Sequence, residues 1–184
     1  MKKKFGIAFI MIFLSASWLT AGPTFYFDLS GNYLASPDMF FRGLYGEDTF
    51  FPELTAGIQV IGDFYLWAGY GFFSSQATTD YLREEMKARQ SYLSGGLGFR
   101  SMISDDFGFK IMVGAVQAGY KEEGMGTEVS GSVLGLRADG GFLMYIGNVY
   151  VELSNGYIYA RDTVNDQKIK LGGYKVSLAF GIQF

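Results

Sequence analysis

From Gly173 to Phe184 the chain alternates without interruption. Tyr174, Val176, Leu178, Phe180, Ile182 and Phe184 fall on one face, and Gly173, Lys175, Ser177, Ala179, Gly181 and Gln183 fall on the other. Successive side chains of a β-strand point to opposite sides, so this segment is a strand with one apolar face and one small or polar face. The same period of two runs back through most of the chain. It predicts strands over 24–35, 53–62, 64–74, 90–103, 107–120, 128–146, 149–160 and 168–184, eight in all.

The connections between these strands alternate in length. Gly62-Asp63, Ser104-Asp105-Asp106 and Gly147-Asn148 are tight and carry the residues that hairpin turns require. The segments 36–50, 75–88, 121–127 and 161–167 read as longer loops, with Tyr81 to Lys87 able to form one or two helical turns. An even number of antiparallel strands, with short turns at one end and longer loops at the other, describes an eight-stranded up-and-down transmembrane β-barrel. Strands of this length are sufficient, since a tilted strand crosses a bilayer in about 9–11 residues.

Alternation alone does not say which face points inward, and a soluble, lipocalin-like barrel alternates too. The charges favour the membrane arrangement. Most lie in or beside the long loops, and the few inside strands are Asp28, Arg100, Lys110, Arg137, Asp139, Glu152 and Lys175, all on the polar face. A water-facing wall needs more. These seven are of both signs, so they are able to pair in a narrow lumen, where burial is tolerated only for paired charge. The polar face is also rich in Gly, Ser and Ala, which suits a cramped interior. Aromatic residues mark both ends of the apolar face. Tyr33, Tyr70, Phe72, Tyr157, Tyr159 and Tyr174 lie toward the long loops, and Phe25, Phe64, Phe99, Phe107 and Phe184 toward the tight turns. Two aromatic girdles are expected of a wall that faces lipid.

The first 22 residues read as an address rather than as fold. Lys2, Lys3 and Lys4 precede an apolar run, Phe5 to Leu14, and small residues follow at Ala21 and Gly22. This is the layout of a secretory signal peptide, too short to span a membrane. The expected division is a signal peptide over 1–22 and a barrel over 23–184, with cleavage after Ala21 preferred because Pro23 follows Gly22. Cleavage removes three Lys and no acid, and the net charge moves from −3 to −6. No basic patch invites nucleic acid.

The chain is similar to the small eight-stranded outer-membrane barrels of the OmpA/OmpX-like type. The last eleven residues, Tyr-Lys-Val-Ser-Leu-Ala-Phe-Gly-Ile-Gln-Phe, carry the resemblance. It implies residence in the outer membrane, contact with outer-membrane lipid and lipopolysaccharide, and an assembly signal formed by Tyr174, Leu178, Phe180, Ile182 and Phe184 that the barrel-assembly machinery reads.

Composition weakens the case for chemistry. The chain has no His and no Cys, so the commonest general base, the commonest metal ligand and the thiolate nucleophile are missing. Outer-membrane barrel enzymes resemble one another in mostly using an active-site His. Asp28, Asp139 and Glu152 are better read as counter-ions of the lumen cations than as acid–base catalysts. No catalytic residue, cofactor or metal is therefore expected. Large solute channels need about 16 strands or more, and eight leave an interior that side chains just fill. A structural or adhesion-like role through the outer loops is the expected function. A barrel binding a small hydrophobic ligand, or a low-conductance channel, stays open. Loops 36–50 and 75–88 are the candidate partner surfaces. The first is unusually apolar, with Met39, Phe40, Phe41, Leu44, Tyr45, Phe50 and Phe51. Such a cluster marks either a contact surface or a lid over the barrel mouth.

Overall fold

The computed structural model describes residues 24–45, 48–78, 85–124, 126–164 and 167–184. The expected signal peptide therefore lies outside the described residues. Eight strands form one closed barrel: β1 (Phe25–Ala35), β2 (Asp48–Ile61), β3 (Phe64–Thr78), β4 (Glu85–Met102), β5 (Phe107–Gly124), β6 (Thr127–Ile146), β7 (Val149–Val164) and β8 (Gln167–Gln183). Each strand pairs antiparallel with its sequence neighbours, and β8 returns to β1 over Tyr26↔Gln183 to Ala35↔Tyr174. Phe25 and Phe184 extend this seam by exchanging both backbone hydrogen bonds, at 2.8 and 3.1 Å.

The apolar face points outward. On β8, Leu178 and Phe180 are 49% and 60% exposed, while Ser177 and Ala179 between them are 4% and 2% exposed. Leu29, Leu54, Leu66, Ile111, Leu136 and Leu153 are likewise exposed on the other strands. A continuous wall of such residues is built for hydrocarbon rather than water. The soluble alternative, with these side chains meeting across the axis, is thereby excluded. Phe184 stacks on Phe25 and Phe27, and Phe99 packs between Phe64 and Phe109, forming part of the girdle at the tight-turn end. Two of the tight turns carry glycine at positive φ, Gly62 at 51° and Gly147 at 64°, as primed hairpin turns require.

Three of the expected loops are largely strand. Residues 75–78 continue β3, and Glu85 to Lys87 open β4, so those three residues are not helical. Tyr81 to Glu84 lie outside the described residues. Segment 121–127 is the end of β5, a two-residue connection with Gly126 at φ 68°, and the start of β6. Segment 161–167 likewise belongs to β7 and β8 apart from its tip. Beyond the apolar belt both faces of a strand meet water, so the alternation that marks a strand in sequence disappears while the hydrogen-bonded ladder continues.

The first loop differs in another way. Residues 36–50 contain a short helix, α1 (Met39–Tyr45), and the opening of β2, which includes Phe50 and Phe51. Asp38 caps the helix: its Oδ1 accepts the Phe41 N–H at 3.2 Å, satisfying one of the orphan donors of the first turn. β8 carries Gly172 and Gly173 at φ 97° and 141° where β1 leaves the sheet. A Cβ on Gly173 would lie 2.1 Å from the Ala35 carbonyl oxygen, so the chain can part there only on glycine.

Candidate functional site

Side chains fill the lumen in three layers. Toward the tight turns, Tyr26, Tyr65, Tyr145 and Tyr150 surround Arg100. The guanidinium lies 4.0 Å from the Tyr26 ring centre and 4.6 Å from that of Tyr150, a cation–π arrangement. Arg100 also donates to the Tyr150 hydroxyl at 3.2 Å, and that hydroxyl donates to Asp28. Arg100 thus reaches its counter-ion through a phenol.

The middle layer is ionic. Lys110 pairs with Glu152 and lies 3.6 Å from Asp28. Arg137 pairs with Glu53 through both terminal nitrogens and with Asp139 at 2.6 Å, and also donates to Ser94 at 2.9 Å. Lys175 closes this second cluster, 3.2 Å from Glu53 and 2.9 Å from Asp139. All these groups are buried. The sequence expectation placed seven charges here, and the structure adds an eighth, Glu53. With it, four acids balance four bases. Glu53 is absent from that expectation because the second strand starts there in sequence. The polar face Thr55, Gly57 and Gln59, extended by one step, would have found it.

Room for these groups comes from glycine. A Cβ on Gly98 would sit 2.2 Å from the Tyr65 ring, and one on Gly181 would sit 2.2 Å from Tyr150 and 2.4 Å from Asp28. The space left among the charges is about 10 Å³, room for about one water at most. Among the described residues neither an open pore nor a ligand calyx is present at this level.

The outer layer is apolar. Leu34, Phe51, Phe73, Tyr92, Val116, Ile158 and Leu171 pack across the axis, and Phe41 of α1 sits against them. α1 is tied to the wall from both ends. Asp38 Oδ2 accepts the Lys170 backbone N–H at 3.1 Å, and the Tyr45 hydroxyl donates to Glu122 at 2.7 Å. Burial, and then the Glu122 carboxylate, push the Tyr45 hydroxyl well above its ordinary range. A crevice of about 150 Å³ remains between α1 and the wall. Of the apolar cluster expected in this loop, Phe41 and Phe51 face the lumen, while Met39 and Phe50 are exposed. The segment therefore supplies a lid, with part of its apolar surface left outside.

The five residues expected to carry an assembly signal, Tyr174, Leu178, Phe180, Ile182 and Phe184, line the outward face of the closing region. Among the described residues no group of three or more acids stands poised to hold a metal ion.

No protein-family model and no curated protein matches the sequence. Solved structures match in fold. Neisserial surface protein A, NspA, superposes with a TM-score of 0.57 at 14% identity, over 89% of this chain and 96% of that one. Ail, the attachment invasion locus protein of Yersinia pestis, solved with the heparin analogue sucrose octasulfate, gives 0.56 at 13% identity over 88% and 97%. The N-terminal β-barrel domain of Pseudomonas aeruginosa OprF gives 0.53 at 12% identity over 88% and 97%. The chain thus shares the fold of these small, eight-stranded outer-membrane barrels, with an apolar outer wall around it.

Proposed function

We propose that the chain is a non-enzymatic outer-membrane barrel whose outer end, the lid and the strand rims beyond the belt, makes contacts at the cell surface. The observation that carries this reading is the closed lumen. Four acids and four bases are buried inside it, an apolar layer and α1 cover it, and among the described residues each of the four lumen acids is engaged by a cation. What stays available to a partner is the outer end, including Met39. NspA is named as a surface protein and Ail as an attachment and invasion protein, which supports a surface role for a barrel of this shape.

The test uses cells that display the full chain and cells that display a barrel with residues 36–47 and 79–84 replaced by short Gly-Ser connections. Expected is a loss of adhesion to extracellular-matrix-coated surfaces in the trimmed form, with heat-modifiable gel migration retained. Equal adhesion of both forms would overturn the reading. Planar-bilayer recording of the full chain should show no discrete conductance steps. Regular steps would favour the channel instead.

A further inference from the structure

Just outside the upper tyrosine girdle, the wall carries an arrangement that neither the lumen nor the lid uses. The register of β7 and β8 sets Arg161 directly opposite Lys170, and Lys168 follows one outward step later, opposite Thr163. All three cations are exposed. Like charges placed opposite each other on a sheet repel, and among the described residues none of the three forms an ion pair. Asp38 meets Lys170 at the backbone N–H, and Asp162 takes the Tyr120 hydroxyl. On the projecting rim of β4 and β5, Arg89 likewise stands opposite Lys121, but there acids sit beside the neighbouring cations. There Lys87 has Glu85 at 3.7 Å, and Lys121 has Glu123 at 2.7 Å and Glu128 at 3.1 Å.

Below this cluster the same wall is hollowed. A shallow groove of about 580 Å³ runs across β4 to β7, formed where Gly95, Ala115 and Ala138 face outward between the larger Val113, Leu136 and Tyr159. Its upper corner is Tyr159, and the Arg161 guanidinium lies over that ring at 4.7 Å. The cations and the groove therefore form one continuous surface.

We propose that this surface holds one lipid of the outer leaflet, its phosphate on Arg161, Lys168 and Lys170 and one acyl chain in the groove beneath Tyr159. The groove lies between the two aromatic girdles, where hydrocarbon is the solvent. The cations lie at headgroup depth, uncompensated and set against each other, so an anion there relieves their repulsion. Only a molecule with both a phosphate and a chain answers both features. In this leaflet that chemistry is a phosphorylated glycolipid of the lipid A class. The site is on the outer wall and is independent of the contacts proposed for the mouth.

The experiment places the full chain in phosphatidylcholine nanodiscs doped with bis-phosphorylated lipid A, or with the same lipid dephosphorylated, and counts retained glycolipid by native mass spectrometry after release into mild detergent. A cation near an anionic lipid surface contributes roughly a fivefold factor, so the R161Q/K168Q/K170Q variant should lose retention by on the order of a hundredfold. The control R89Q/K121Q, an opposed pair of cations above the β4–β5 end of the groove, should keep it. Dephosphorylated lipid should bind like the triple variant does. A138F, which fills the groove from an outward position, should weaken retention with the cations intact. All variants are first checked for heat-modifiable migration. Equal retention by wild type and the triple variant, or an equal loss in the control, overturns the phosphate site. Unchanged retention in A138F overturns the chain seat. Saturable binding of inorganic phosphate that ignores A138F, or a dimer that occludes this face, overturns the lipid assignment.

Discussion

The barrel has two zones made by the same ladder. Within the apolar belt, as at Val176, Leu178, Phe180 and Ile182, side chains alternate strictly between lipid and lumen. Beyond it, as at Lys121 to Gly124 and Thr127 to Gly131, the pairing continues residue by residue while both faces, Val129 apart, are polar or small. Backbone hydrogen bonds hold both zones together. What changes is the contrast between the two sides of the sheet. Period-two patterning thus reports a difference of solvent across a strand rather than the strand itself.

Charge shows the same division. Arg137→Ala would leave two buried acids, Glu53 and Asp139, sharing the single charge of Lys175, and the loss of one member of a buried ion pair costs about 3–5 kcal/mol. Urea unfolding in detergent micelles should register that as a large drop in midpoint. Lys121→Ala, which breaks two ion pairs in the projecting zone, should leave the midpoint where it is, because exposed pairs contribute little. A similar drop for both would mean that the two zones are not energetically distinct.

Depth is tested by placing one cation on the outer face at two heights. Leu178→Arg lies in the belt and should cost about 2–4 kcal/mol, while Thr163→Arg, above it, should cost roughly 0–1 kcal/mol. Refolding yields into vesicles should follow the same order. Within the belt, the inner and outer faces also differ. Gly181→Ala drives a methyl into Tyr150 and Asp28, and overpacking of this kind costs about 1–3 kcal/mol. Outward-facing Gly140, whose added Cβ would find only the Lys110 carbonyl at 3.8 Å, should accept Ala within about 0.5 kcal/mol.

The smallest effect concerns the lid. The Tyr45 hydroxyl holds its proton more tightly when docked than when free, so docking is undiminished below the free phenol's value near 10 and weakens as pH rises above it. Protease protection of the 36–47 segment should therefore fall above pH 10 in the wild type. In Tyr45→Phe that dependence should vanish, with weaker protection at every pH.

Much of this architecture is legible in the chain itself. The strand count, the tight turns and the outward apolar face follow from the spacing of residues such as Leu178 and Ser177 and from the scarcity of charge between girdles. The outer ends are not legible, because alternation fades where both sides are wet. Glu53 escaped for a related reason: it follows Pro52 at the point where the pattern begins, and only a three-dimensional register sets it against Arg137. α1 was masked by its own composition. Its Phe and Leu residues read as a patch, and the capping signal of Ser36-Pro37-Asp38 is short. The opposition of Arg161 and Lys170 also depends on register, since a segment that reads as a loop, 161–167, holds the first and precedes the strand that holds the second.

The seam between β1 and β8 has a consequence for biogenesis. Until Phe184 lies against Phe25, the first strand presents a bare row of amide and carbonyl groups, and such an edge invites pairing with any passing strand. Every other edge can be covered as soon as the next hairpin is made, whereas this one waits for the whole chain. The unclosed polypeptide therefore keeps one unsatisfied flank until its last strand is in place, and shutting the cylinder is the step that removes it.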